Sequence, residues 1–110
     1  MITMKEKINM TLRIAGIDHE VKEVHDLARV DGATGHFDPI LKEIRIDEDQ
    51  HPQEKQRILL HEILEAVDRE FYLKLDHNGQ LSKLDAALFQ IFKDNPQLLR
   101  LFLDEKNGND

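Results

Sequence analysis

Within Ile58-Leu59-Leu60-His61-Glu62-Ile63-Leu64-Glu65, a histidine and a glutamate stand four residues apart, with a second glutamate between them. On a helix, positions i and i+4 share one face, so His61 and Glu65 point the same way. An imidazole and a carboxylate so placed can share one divalent cation, and Glu62 lies beside them with a free carboxylate. The run differs by one residue from His-Glu-x-x-His, in which two histidines bind zinc and the intervening glutamate is the general base. Glu65 stands in for the second histidine, which keeps a ligand but changes its kind.

A zinc centre that does chemistry usually has three protein ligands and an open position for water. His61 and Glu65 supply two. The third is expected where the chain turns back after the helix, and His77 and Asp85 stand there. His77 is preferred, because imidazole binds zinc well and two histidines with one glutamate are a common zinc environment. Asp85 is the alternative, as a third or fourth ligand, as a partner that orients an imidazole, or as a helix-start charge alone. Glu62 would be the catalytic base, taking a proton from the attacking water. Tyr72 and His36 are candidates for contacting substrate at the developing oxyanion. The strand from Glu43 to Asp47 could take an extended peptide as an added strand.

Each of these residues also has a plainer role. Glu and Leu are good helix formers, so the motif can be an amphipathic helix with a boundary histidine. His77 can be loop surface, His36 can bond the backbone, and Tyr72 can pack with its hydroxyl at a rim. His19, His25 and His51 read as surface. Asp47-Glu48-Asp49 reads as solvated loop, since no glycine-containing calcium loop surrounds it.

The elements that must position the motif follow from periodicity. Met10, Leu12 and Ile14 alternate as in a half-buried strand. Asp18-His19-Glu20 reads as a turn into a second strand, Val21 to Val24, and His25 to Ala33 is either a short helix or an irregular crossing. Asp38-Pro39 suits a turn start, because proline presets φ at the second turn position. Alternation resumes from Leu41 to Asp47.

The second half reads as helices. The first is expected from about Pro52 to Lys74, with proline and Glu54 near its start. Leu60, Leu64, Val67 and Phe71 form its expected core stripe, which puts His61, Glu65, Asp68 and Tyr72 on one shoulder of that stripe. Asp76-His77-Asn78-Gly79 is a turn signal. A second helix begins near Ser82, with Asp85 in a place like that of a capping box. Asn95-Pro96 ends it, and a short terminal helix follows to about Leu103.

The expected architecture is therefore α+β: a small antiparallel sheet of three or four strands packed on two main helices and a short C-terminal helix. One hundred and ten residues suit a single domain. Residues 1–9 and 104–110 read as flexible ends. Fifteen Lys and Arg against 22 Asp and Glu give a net charge of −7, which argues against nucleic acid or an anionic membrane as partner. The same charge would suit an acidic interaction domain on a basic protein surface. There are no cysteines, so a transition metal must be held by His, Asp or Glu. No signal core and no spanning apolar run is legible, and the chain reads as cytoplasmic. Nothing in the composition speaks to oligomeric state.

The order of parts resembles a known family. Thr11 to Val24, then Gly35-His36-Phe37-Asp38, Glu43-Ile44-Arg45-Ile46-Asp47 and Leu59-Leu60-His61-Glu62-Ile63 look like the small zincin-like proteins of bacteriophages and prophages. These are compact relatives of the immunity-element metallopeptidases that cleave phage-type repressors. The likeness covers roughly residues 10 to 95. It implies a sheet packed on the motif helix, zinc at His61, catalysis by Glu62 and a ligand at position 65. Glu65, Asp76-His77 and Leu84-Asp85-Ala86-Ala87-Leu88 match a variant branch with glutamate in that place, which adds weight to His77 as third ligand. The expected function is a zinc-dependent hydrolase of peptidase type acting on a peptide or protein. The alternative is a non-catalytic phage accessory or binding protein on the same scaffold, with or without a structural metal.

Overall fold

The computed structural model describes residues 7–103. Its first strand, β1 (Asn9–Ile14), turns at Ala15-Gly16 into β2 (Ile17–Val24). Both turn residues have positive φ, 54° and 78°, as a tight two-residue hairpin with right-handed strand twist requires. The turn thus falls earlier than Asp18-His19-Glu20, and β2 is longer than expected. A five-residue helix, α1 (Leu27–Asp31), fills the ambiguous stretch after it. Then come β3 (Gly35–Asp38) and β4 (Glu43–Asp47). Between them Asp38 Oδ1 accepts from the backbone N–H groups of Ile40 and Leu41, at 2.9 and 3.0 Å, which makes the expected Asp38-Pro39 turn.

The four strands form one sheet in the order β1-β2-β4-β3. The sheet is mixed and not purely antiparallel. β1–β2 and β3–β4 are antiparallel, while β2 and β4 run parallel. A parallel neighbour needs a long crossover, and the segment carrying α1 and β3 supplies it. Ends expected to be flexible are partly anchored: Lys7 pairs with Glu48 at 3.0 Å and the Ile8 N–H donates to Glu23 at 2.6 Å. Residues 1–6 and 104–110 lie outside the described residues.

The long helix α2 (Pro52–Phe71) crosses one face of the sheet. His51 caps its start, its Nδ1 accepting from the Gln53 N–H at 3.1 Å. Tyr72, in left-handed conformation, caps its end, and the last helical residue, Phe71, falls three before the expected Lys74. The core joins Ile14, Val21, Ile44 and Ile46 of the sheet to Ala66 of α2, with Ile58, Leu59, Ile63 and Val67 packed around them. The stripe facing the sheet is thus centred on Glu62 and Ala66, with Val67 alone retained from the expected set. Leu60 and Leu64 are half-buried, and Phe71 is exposed. A small residue and a carboxylate hold the centre of the buried face, so hydrophobicity alone pointed to the wrong side of the helix.

After α2 the chain reverses through a π-helical turn, His77–Leu81, which runs directly into α3 (Ser82–Asp94). Ser82 does not cap α3: its hydroxyl donates to the His77 carbonyl at 2.7 Å, closing the wide turn. α3 packs back along α2, with Lys93 Nζ donating to Gln56 Oε1 at 3.0 Å near its far end. α4 (Pro96–Leu103) follows and touches α3. Among the described residues no helix is long and apolar enough to cross a membrane.

Candidate metal centre

Three side chains of α2 meet where the helix passes β3. His61, Glu62 and Glu65 each offer a ligand atom, and these atoms lie within 4.8 Å of one another. Helical spacing accounts for His61 and Glu65, as the sequence predicts. They flank the buried stripe, and both are half-buried. Glu62 does something the spacing does not predict. It turns under the sheet and is only 5 % exposed.

Gly35 makes that possible. A Cβ on this residue would lie 2.5 Å from Ile58 Cγ2 and 2.9 Å from Glu62 Oε2, so any larger side chain would collide with the helix. Glycine inside a strand is a mark of close backbone approach. The sequence shows the glycine, but only the position of β3 beside α2 gives it this meaning.

The outer ring of the site comes from the returning chain. His61 Nδ1 bonds to Asp85 Oδ2, where an ionised carboxylate can only accept, so the ring donates. Asp85 is buried, and its contact leaves Nε2 as the ring nitrogen that can face a cation. His77 Nδ1 lies 3.0 Å from Glu65 Oε1. Both expected third ligands therefore stand at the site, each touching a different member of the α2 pair. The other two expected residues stand elsewhere. Gly35 and Phe37 face α2, so strand alternation turns the exposed His36 to the opposite face of the sheet. Tyr72 sits exposed at the end of α2.

Electrostatics set this cluster apart. Burial, together with the adjacent Glu65 carboxylate, pushes the Glu62 carboxyl up to about 9. In the metal-free protein Glu62 therefore keeps its proton at neutral pH. Its Oε1 is buried with no hydrogen-bond partner. An orphaned buried oxygen beside a second carboxylate and an imidazole is unfavourable as it stands, and a divalent cation held by His61 and Glu65 would put positive charge beside it. The donor set, nitrogen and carboxylate oxygen without thiolate, suits zinc and similar divalent ions.

Two clefts open on the cluster. One, of about 200 Å³, is lined by Thr34, Arg57, His61, Glu62 and Asp85 among others. The second, of about 280 Å³, lies between Phe37, Pro39, Glu65, Asp68, Arg69 and His77. Thr34 and Phe37 carried no functional signal in the residues alone, because only the fold brings them beside the motif; Arg57 lies one helical turn before His61 and was passed over.

β4 lies inside the sheet, hydrogen-bonded to β2 on one side and β3 on the other. It cannot accept an added strand, contrary to expectation. The edge strand beside α2 is β3.

A second group, His25 with Glu48 and Asp49, also brings three ligand atoms within 4.8 Å. It is built differently. His25 contacts Glu48 at 3.0 Å and Asp26 at 3.3 Å, and Lys7 contacts Glu48 at 3.0 Å. The Glu48 carboxylate holds His25 above its ordinary pKa, so the group carries its own cations at the surface. No family model, curated protein or solved structure matches this chain.

Proposed function

We propose that this protein is a divalent-metal-dependent hydrolase of peptidase type, with zinc as the expected ion and the phage zincin-like proteins as an analogy. The observation that carries the reading is the orphaned, buried Glu62 oxygen between His61 and Glu65. In this reading His61, Glu65 and His77 hold the ion. Asp85 orients His61 through Nδ1, as carboxylates commonly do for zinc-bound histidines. The ion would supply positive charge to polarise a substrate carbonyl and to make a bound water more acidic.

The remaining chemistry belongs to the chain. Glu62 would take a proton from the attacking water on its carboxylate and pass it to the leaving amine nitrogen. An ion beside it favours the charged form, which a base needs and which burial alone opposes. Its seat against Gly35 excludes bulk water from one side. A peptide could lie along β3, with groups on either side of the scissile bond in the two clefts.

The test begins with metal analysis of protein purified without added metal, and with zinc titration of the stripped protein. One equivalent is expected in the native chain, with most of it lost in His61→Ala. Sub-stoichiometric metal in both would end the proposal. Zinc-loaded protein is then incubated with a mixed peptide digest. Glu62→Gln should retain zinc and lose cleavage; equal cleavage by the variant would remove Glu62 as base.

A second reading, a non-catalytic binding or accessory protein with a structural ion, is favoured by one observation. Glu62 already brings an oxygen into the group of His61 and Glu65, and His77 Nδ1 stands 3.0 Å from Glu65, so a closed shell of four protein donors is within reach. A zinc-bound structure with no water on the ion would favour it.

A further inference from the structure

We propose that the protein associates with a second copy of itself, face to face, through an apolar patch formed by the β3–β4 turn and the C-terminal end of α2. Ile40, Leu41, Phe71, Tyr72 and Leu73 are each between 50 % and 81 % exposed. The two segments are held together by the Lys42–Glu70 ion pair, which sits between Leu41 and Phe71 in the chain order of each side. Both are also internally fixed. Asp38 binds the turn through the Ile40 and Leu41 N–H groups, and the Leu73 N–H donates to the Asp68 carbonyl at 3.1 Å. Little ordering entropy remains to oppose docking of such a surface.

Area and charge both point to a second copy as the occupant. The five residues at this exposure present roughly 600–700 Å² in all, near the roughly 800 Å² that each partner gives to a standard interface. A chain of net charge −7 repels its own copies at most surfaces. This patch carries none of that net charge. Residues 38–42 and 68–74 hold three cations (Lys42, Arg69, Lys74) and three anions (Asp38, Asp68, Glu70), so the local charge is zero. A neutral, apolar, self-facing patch suits a two-fold interface in which the same residues meet from both sides.

The exposed leucines and Phe102 of α4 are the competing surface. α4 follows α3 near the start of α2, as the Lys93–Gln56 bond shows, so a helix of 20 residues, about 30 Å long, separates the two patches. Association through the first patch has a consequence that association through α4 lacks. Pro39 and Arg69 line the cleft beside Glu65 and His77, so the second copy would stand at its rim.

Sedimentation of the full chain across micromolar concentrations tests this. Native protein should reach twice its 12.9 kDa and keep that mass in high salt. Ile40→Asp and Tyr72→Asp should each weaken the dimer at least about tenfold, as expected of central interface residues. Aspartate tolerates the left-handed backbone at position 72, so the variant should melt like the native chain. Phe102→Asp should leave the dimer unchanged. A native monomer at high concentration overturns the proposal. So does a dimer indifferent to both patch variants, or one lost on Phe102→Asp.

Discussion

Two carboxylates are buried where α2 meets the sheet, and they are treated in opposite ways. Glu23, on β2, has a side chain only 1 % exposed; it accepts from Lys55 Nζ at 2.7 Å and from the Ile8 N–H at 2.6 Å. Glu62, on α2, is nearly as deep, but it has a bare oxygen and a second carboxylate for a neighbour. The first is a staple that ties the start of β1 to the helix. The second is destabilising in the metal-free chain and calls for a cation. Burial of an acid is therefore no signal of function. Burial without a partner, in reach of two other ligand groups, is what marks Glu62. Asp47 Oδ1 and His19 Nε2 are also buried without partners, but neither belongs to such a group among the described residues.

Breaking the staple should have the largest effect. Glu23→Ala leaves the Lys55 ammonium nearly buried and the Ile8 N–H without its acceptor, at a cost of about 3–5 kcal/mol. Urea unfolding should show a clear fall in midpoint with an unchanged slope. If the fall is no larger than for an ordinary surface change, the contrast between the two carboxylates fails.

The mirror experiment at the other site should run in the opposite direction. Between its ordinary value of 4.5 and its folded value of about 9, Glu62 binds a proton in the folded metal-free chain that the unfolded chain has lost. Stability should therefore fall as pH rises through that window. Glu62→Gln removes this dependence and should stabilise the metal-free protein on the order of 2–4 kcal/mol at pH 7.5. The gain should vanish near pH 4.5, and thermal melts at the two pH values are the readout. Zinc added to the native chain should stabilise it and release protons.

Gly35→Ala sharpens the comparison from the strand side. Its methyl group would press on Ile58 and the Glu62 carboxylate, costing about 1–3 kcal/mol of stability. Zinc affinity should fall with it, whereas Glu23→Ala should spare zinc affinity in whatever fraction is folded. The smallest effect is expected at the exposed end of the same interface. Lys42 holds Glu70 below its ordinary carboxylate value, so their pair contributes above about pH 4.5 and is lost as pH falls through the folded pKa. Glu70→Gln should lower the melting temperature slightly at pH 7 and leave it unchanged in strong acid.

Much of the local structure was legible. Alternation at Met10, Leu12 and Ile14 gave β1, Pro52 and Glu54 marked the start of α2, and Asn95-Pro96 marked the end of α3. The hairpin turn was missed because Ala15 takes a positive φ that favours glycine or asparagine, which hid half of the turn signal. His19, read as surface, is fully buried against Phe37, with Nδ1 paired to the Ile17 carbonyl at 2.9 Å. A longer β2 turned it inward. The pairing of β2 with β4 was hidden as well, since no local pattern distinguishes a parallel neighbour from an antiparallel one.

Local chemistry, written in the sequence, was enough to aim His61 and Glu65 along one side of a helix, because four residues make about one turn of any α-helix. Three matters waited for the packed chain: which face of that helix is buried, that Gly35 clears a seat for Glu62, and that Asp85 and His77 reach opposite members of the pair. Each depends on contacts between residues distant in the chain. Their geometry is set by how the sheet and helices fit together, and no helical period encodes that fit.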